Sequence, residues 1–174
     1  MTDSLAVFRS TFGWVAILGS KGVVRALTFG HGNAQAAMLA IPPFLREGAV
    51  QRQWCPGLMR RIREYLFGAP DDFSDVRVDP GPQTPFQARV MACLRRVGWG
   101  RTIMYAELAE QAGFPKAARA VGSCLARNRI PLILPCHRVV GAGGRLGGFS
   151  APGGLATKRR LLLLEGSLPS TVAR

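Results

Sequence analysis

The sequence contains few of the side chains from which metal sites and disulfide frameworks are built. Its 174 residues include two histidines and four cysteines, and the cysteines are Cys55, Cys93, Cys124 and Cys136, with no Cys-x-x-Cys pair among them. Neither histidine stands at a zinc-ligand spacing from a cysteine, so we expect no metal and no cofactor. Scattered cysteines are typical of the reduced thiols of a cytoplasmic protein rather than of a disulfide-stabilised secreted domain.

Long apolar segments and a secretion signal are also lacking. Apolar runs such as residues 130–134 and 161–164 are far shorter than the roughly 20 residues that cross a bilayer. The first ten residues, MTDSLAVFRS, carry no basic segment followed by an apolar stretch, so we predict no signal peptide. We therefore expect a cytoplasmic protein with no membrane partner.

Acidic residues are scarce, and most of them lie in the first half. Ten Asp and Glu residues stand against 23 Lys and Arg residues, which gives a net charge of +13. Residues 1–82 hold nine basic and seven acidic side chains, whereas residues 83–174 hold fourteen basic and three acidic ones. A positive field in one half indicates a polyanionic partner, DNA or RNA. Arginine used for solubility gives the same composition, so charge alone does not choose between these interpretations.

Turn and linker residues divide the sequence into two parts. The first part contains the predicted elements of a small α/β unit, namely a hairpin around Gly19-Ser20-Lys21-Gly22, helices over residues 34–39 and 57–67, and a strand over residues 73–78. Asp79-Pro80-Gly81-Pro82 is typical of a linker. We expect an α+β fold in which residues 1–82 form a supporting α/β domain and residues 83–174 a mostly helical domain.

Three short helices are predicted early in the second part. They are residues 86–97, opened by Thr84 and Pro85, then residues 105–112, and then a helix from Pro115 to about Arg127. The glycine-containing turn between the second and third helices predicts a helix-turn-helix of the winged-helix kind. Helical hairpins of this size also occur in proteins that never bind DNA.

The third helix is the predicted DNA-recognition element. Small residues, including Ala118 and Gly122, leave its surface smooth, and Lys116, Arg119 and Arg127 provide long basic side chains. A smooth helix can approach a groove closely while its arginines reach inward. Close packing against another helix explains the small residues equally well, and the concentration of positive charge favours the DNA interpretation.

The most informative motif is Pro135-Cys136-His137-Arg138-Val139-Val140. A free cysteine has a pKa of roughly 8.5, and we expect the adjacent His137 and Arg138 to lower it and to favour the thiolate nucleophile. A small buried cysteine is the alternative interpretation. Residues 141–154 then contain seven glycines among fourteen residues, a composition that suits close backbone contact with a ligand or a mobile lid.

A last helix is predicted over residues 157–165, and it ends in a carboxylate. Glu165 is the only acidic residue after Glu110. Such an isolated carboxylate could orient a histidine, or it could be a solvated charge at the end of a helix.

Together these motifs resemble the O6-alkylguanine-DNA alkyltransferase family, the methylated-DNA–protein-cysteine methyltransferases. The resemblance runs from about Thr84 to Gly166 and rests on residues 135–140, with residues 119–122 and Asn128 before them. It implies direct-reversal DNA repair, in which the alkyl group of O6-alkylguanine, and of O4-alkylthymine, moves once and irreversibly to a cysteine after base flipping. It also implies that residues 83–174 form the DNA-binding and alkyl-acceptor domain of a monomer that binds alkylated double-stranded DNA through the minor groove, with cooperativity on DNA left open. We therefore expect the protein to associate with the nucleoid if the source is bacterial.

The resemblance assigns catalytic roles to five residues. Cys136 is the alkyl acceptor, and it is activated by a relay of Glu165, His137 and a water molecule. Tyr105 donates a hydrogen bond or a proton to the departing base. Asn128 braces the turn between the recognition helix and the active-site segment.

The resemblance also implies the residues that bind DNA and the substrate base. Arg119 corresponds to the family's arginine finger, which fills the space of the extruded nucleotide. The other expected DNA-binding residues are Lys116, Ala118, Arg127, Thr84 and Tyr105. The residues expected around the substrate base are Pro135, Val139, Phe149 and Ser150.

Two departures from the family pattern and three rival functions accompany this interpretation. Asn128 is followed by Arg129-Ile130-Pro131 instead of directly by proline. The glycine-rich segment has Phe149 in place of a frequent tyrosine, and it is about two residues longer than in some relatives.

The nearest rival function is that of a non-catalytic alkyltransferase-like damage sensor, although such proteins usually lack the acceptor cysteine. A helix-turn-helix transcription regulator has no need of the cysteine motif. A Cys-His hydrolase requires a facing pair, which adjacent residues seldom form.

Overall fold

The chain folds as two compact units, Met1–Gly81 and Pro82–Arg174, in a computed structural model that describes residues 2–168. Helices and strands occur in both units, and the predicted α+β class is confirmed. Within the described residues, no helix has both the length and the apolar character that crossing a bilayer requires.

The first unit is built on a five-stranded sheet with the strand order β4-β1-β2-β3-β5. The strands are β1 (Ser4–Ser10), β2 (Gly13–Ser20), β3 (Val23–His31), β4 (Val50–Gln51) and β5 (Arg77–Val78). β1, β2 and β3 form an antiparallel meander, and the short β4 and β5 pair in parallel with its edges. The predicted hairpin is confirmed, because Lys21 and Gly22 have φ of 48° and 73° and form the two-residue turn that twisted strands favour.

Three helices accompany this sheet, and they are α1 (Ala34–Ala40), α2 (Pro43–Arg46) and α3 (Pro56–Phe67). The predicted helices over residues 34–39 and 57–67 are therefore confirmed. The predicted strand over residues 73–78 is wrong except for β5. Phe73 has a left-handed backbone with φ of 49°, and its buried ring packs against Tyr65 with the ring centroids 5.3 Å apart.

The second unit is mostly helical. Its elements are α4 (Pro85–Leu94), β6 (Ile103–Met104), α5 (Tyr105–Gln111), α6 (Ala118–Leu125), β7 (Val139–Val140) and α7 (Leu155–Leu164), with short 3-10 turns at Cys136–Arg138 and Ala142–Gly144. Thr84 is the N-cap of α4, as predicted, and it forms a capping box with Gln87. β6 and β7 pair in parallel, which places the segment after the cysteine beside the start of α5.

The predicted recognition helix, α6, is shorter than expected. It begins at Ala118 rather than at Pro115, because Lys116 has φ of 70° and the backbone N–H of Ala117 donates to the carbonyl of Phe114 at 3.2 Å. Lys116 therefore lies in the turn between α5 and α6 and not on the helix. α4 likewise ends at Leu94 instead of residue 97.

Candidate active site

Cys136 begins the 3-10 turn that leads into β7, and its side chain lies at the edge of the core. Only 7% of the residue is exposed. Asn128 fixes the segment before it, since its Nδ2 donates to the carbonyl of Leu134 at 2.7 Å and its Oδ1 accepts from the backbone N–H of Ile130 at 3.0 Å. Asn128 makes both of these hydrogen bonds although Arg129 and Ile130 separate it from the proline at position 131.

A cavity of about 690 Å³ lies beside Cys136. This volume is within the range of roughly 300–1,000 Å³ that is typical of ligand pockets. Its walls come from α5, α6 and the glycine-rich segment, and the predicted site residues among them are Tyr105, Ala118, Arg119, Cys136, Phe149 and Ser150. The cysteine therefore borders a cavity and is not sealed within apolar packing.

Two residues expected around the substrate base do not line this cavity. Pro135 and Val139 are both buried, and Val139 is held in the core by the pairing of β7 with β6 opposite Ile103. The carbonyl oxygen of Val139 accepts a hydrogen bond from Nζ of Lys158 at 2.6 Å.

A buried ionic cluster is formed by the two residues that follow the cysteine and by the end of α7. His137 Nε2 and Glu165 Oε1 are 2.8 Å apart. Arg138 donates to the same carboxylate from Nε and Nη2 at 3.0 Å, and it also donates to the carbonyl of Val97. The backbone N–H of Gly100 donates to Glu165 Oε2 at 3.3 Å. Glu165 is therefore not a solvated charge, and it is placed to orient the histidine.

The cluster sets the protonation of its members. Burial lowers the pKa of His137 and outweighs the opposing effect of Glu165, so the imidazole is neutral at neutral pH. Burial alone would raise the pKa of Glu165, but His137 and Arg138 outweigh it and lower that pKa to about 2. A neutral histidine that donates Nε2–H to a carboxylate carries its lone pair on Nδ1. The arrangement therefore supplies a base that can accept a proton at Nδ1.

The prediction that His137 and Arg138 lower the pKa of the thiol is wrong. Burial raises the pKa of Cys136, and the opposing influences are a hydrogen bond from Asn128, the charge of Lys158, and the backbone amides of residues 136 and 137. Arg138 is not among the groups that lower the pKa of Cys136, because its guanidinium is bound to the carboxylate of Glu165. The thiol therefore needs a base to remove its proton.

Lys158 is the candidate functional residue that sequence reasoning did not identify. It is completely buried on α7, and its Nζ lies 5.8 Å from the centre of the Tyr105 ring. Burial lowers its pKa to about 8, and the charge of Cys136 opposes this effect. The available signal was spacing, because Lys158, Leu161 and Glu165 recur on one face of α7 and all three are buried.

Tyr105 begins α5 and lies between α6 and the glycine-rich segment. Burial and, to a lesser extent, the charge of Cys136 raise its pKa, so the phenol stays protonated and can donate a hydrogen bond. Gly147 has φ of 66°, and a Cβ at this position would lie 2.9 Å from the tyrosine hydroxyl. A Cβ at Gly122 of α6 would lie 3.8 Å from Cε1 of the ring. Only a glycine at position 147 lets the glycine-rich segment pass Tyr105 this closely.

The residues predicted to bind DNA lie in the second unit. Arg119 is exposed on α6 and lines the cavity with Ala118. Lys116 and Arg127 are exposed before and after this helix, and Thr84 is exposed at the start of α4, which it caps through its hydroxyl. All four cysteines are free thiols, and residues 2–168 contain no group of three His, Cys, Asp or Glu side chains placed to hold a metal ion.

Comparison with known proteins places the chain among alkyl-accepting repair proteins. The family described as 6-O-methylguanine DNA methyltransferase, DNA binding domain, matches residues 85–167. The methylated-DNA–protein-cysteine methyltransferase of Methanosarcina acetivorans is 35% identical over 166 residues, which cover 93% of this chain and 97% of that protein.

Solved structures agree with this placement. The crystal structure of Mycobacterium tuberculosis O6-methylguanine methyltransferase is 32% identical in sequence to this chain. The match covers 97% of this chain and 96% of that chain, with a TM-score of 0.79. The structure of OGT from the same organism in complex with DNA is 31% identical, covers 97% of both chains and has a TM-score of 0.77. The chain described here belongs to the methylated-DNA–protein-cysteine methyltransferase family.

Proposed function

We propose that this protein repairs alkylated DNA by moving the alkyl group of O6-alkylguanine, or of O4-alkylthymine, onto Cys136. One observation carries the proposal: the cysteine borders a cavity of about 690 Å³, and the next residue, His137, forms a buried pair with Glu165. A cavity of about 150 Å³ is enough to bind benzene, so the space is sufficient for a bicyclic base with its adduct. Membership of the family supports the same reaction.

The chemistry is a displacement at the alkyl carbon. The sulfur–carbon bond to Cys136 forms while the bond between that carbon and the oxygen of the base breaks. His137 takes the thiol proton at Nδ1 through a water molecule, and Glu165 stabilises the resulting imidazolium. Tyr105 donates a hydrogen bond or its proton to the base as negative charge develops there. The product is a thioether, which is stable to hydrolysis, so each protein molecule reacts once.

Access to the base requires base flipping. Extruding a nucleotide from duplex DNA costs a few kcal/mol, and a side chain inserted into the stack offsets part of that cost. Arg119 is suited to this insertion because it is exposed on α6 and lines the cavity that receives the base. The small residues Ala118 and Gly122 let α6 enter the minor groove closely. The protein binds as a monomer, and Lys116, Arg127 and Thr84 contact the DNA strands.

Intact-mass measurement after incubation with a duplex that contains O6-methylguanine tests the proposal. We expect a gain of one methylene per protein, located on Cys136 by peptide analysis, and no gain for Cys136→Ser. Unchanged mass with tight binding to alkylated DNA would instead indicate a damage sensor. Unchanged mass with no preference for alkylated DNA would indicate a regulator.

Replacing Arg119 tests the flipping step separately from the chemistry. We expect Arg119→Ala to slow transfer from duplex DNA at least tenfold more than it slows reaction with free O6-alkylguanine, because the free base needs no extrusion. Single-turnover kinetics with the two substrates give this ratio. An equal loss on both substrates would contradict the insertion role of Arg119.

A further inference from the structure

Arg145 is an exposed cation in the glycine-rich segment, directly after the 3-10 turn Ala142–Gly144. Its carbonyl oxygen accepts from the backbone N–H of Gly141 at 2.5 Å, and its Nε donates to the carbonyl of Ala142 at 3.2 Å. Both Gly141 and Ala142 line the cavity beside Cys136. The side chain of Arg145 is therefore bound to residues that form the cavity wall, at the solvent-exposed rim of the cavity.

The rim carries positive charge on two different elements. Arg119 lines the cavity from α6, and Arg145 stands on the glycine-rich segment. The turn that leads to Arg145 has no bulky side chains, since Gly143 and Gly144 are exposed and a Cβ on either would meet nothing within 4 Å. A nucleic acid strand can therefore approach the backbone of this turn closely.

The chemistry of the ligand determines what must lie at this rim. A base that enters the cavity stays joined to its sugar, and the sugar stays joined to a phosphate on either side. Because the base reaches Cys136, these phosphates cannot move far from the opening. An arginine whose Nε donates to a carbonyl still has its two terminal nitrogens as donors, and the planar guanidinium matches the geometry of a phosphate.

We propose that Arg145 binds a phosphate adjacent to the extruded nucleotide and retains the flipped strand at the cavity. The inference rests on the proposed function and adds a DNA contact on the lid to those of the helix-turn-helix. Arg145 is a DNA-binding residue in this account, and it takes no part in alkyl transfer to the sulfur.

The test compares wild type, Arg145→Ala and Arg145→Lys on a duplex that contains O6-methylguanine. For Arg145→Ala, we expect the slope of log affinity against log salt to become less negative by about 0.9, the value for one phosphate contact. Loss of this one phosphate contact also makes binding about eightfold weaker at about 0.1 M salt. Transfer from subsaturating duplex should slow by a similar factor, while the rate with free O6-alkylguanine should not change.

Two controls separate this contact from general charge and from loop structure. Arg96→Ala removes an exposed arginine that follows α4 and does not line the cavity, and it should leave the salt slope within experimental error. Arg145→Lys keeps the charge without the Nε hydrogen bond, and it should restore the slope.

Several outcomes would overturn the assignment. An unchanged slope in Arg145→Ala, or an equal change in Arg96→Ala, would show that Arg145 makes no specific phosphate contact. If Arg145→Lys behaved like Arg145→Ala and both slowed the free-base reaction, the residue would act only by shaping the lid. Failure of the wild-type protein to accept an alkyl group would refute the proposed function instead, before any variant is compared.

Discussion

Replacing Glu165 by glutamine tests the buried ionic cluster behind the nucleophile. The side chain of Glu165 is fully buried, and its carboxylate accepts hydrogen bonds from His137 at 2.8 Å, from Arg138 at 3.0 Å and from the backbone of Gly100 at 3.3 Å. Glutamine has the same shape but no charge, and it leaves the guanidinium buried without its counterion. Removing one partner of a buried ion pair typically costs about 3–5 kcal/mol.

The pKa of Glu165 gives a second, independent value for the contribution of this carboxylate to stability. Burial alone would raise it, but His137 and Arg138 lower it from 4.5 to about 2 in the folded protein. This difference corresponds to about 3 kcal/mol of stability at neutral pH. Because the folded-state pKa is the lower one, this stability is fully present above about pH 4.5 and is lost as the pH falls towards 2. The two magnitudes agree.

Urea unfolding followed by circular dichroism measures this effect. We expect Glu165→Gln to lower the free energy of unfolding by about 3 kcal/mol at pH 7, and the difference from wild type to shrink to about half near pH 3. Glu110→Gln, at an exposed position on α5, is the matched control and should stay within about 0.5 kcal/mol of wild type. Equal stability of Glu165→Gln and wild type at pH 7, or a difference that grows on acidification, would refute the reasoning.

Two further substitutions test the groups around the thiol. Lys158→Met removes the cation that opposes the raised pKa of Cys136, so the rate of thiol alkylation by iodoacetamide should rise with pH at a higher midpoint; an unchanged midpoint would contradict this role. Gly147→Ala places a Cβ 2.9 Å from the Tyr105 hydroxyl at φ of 66°, so transfer should slow about tenfold or more with both duplex and free base. Gly143→Ala, where φ is also positive at 67° and a Cβ would meet nothing within 4 Å, should react with the free base like wild type, and equal rates of the two variants with the free base would exclude the steric argument.

Local features of the fold could be predicted from the sequence because short-range interactions determine them. Lys21-Gly22 forms the turn of the hairpin, and the three-residue spacing of Thr84 and Gln87 sets the start of α4. Phe73 and Lys116 were misplaced in a strand and a helix, because both adopt left-handed backbones. Tertiary packing holds the Phe73 ring in the core, and no local pattern in the sequence indicates that conformation.

For the site, the sequence indicates which residues take part more reliably than it indicates which of them shift the pKa of the thiol. The motif around Cys136 and the isolated Glu165 could be identified, and the family resemblance linked them through His137. Adjacency in sequence suggested that Arg138 would act on the thiol, but its side chain faces the carboxylate instead. Lys158 acts on the thiol from a distant helix, and only the packing of α7 reveals this.

The stoichiometry of transfer tests the central claim most directly. With excess duplex that carries O6-methylguanine, the account predicts that each protein molecule restores one guanine, gains one methyl group on Cys136 and then stops. Restoration of more than one guanine per protein molecule, or restoration without a modified Cys136, would contradict it.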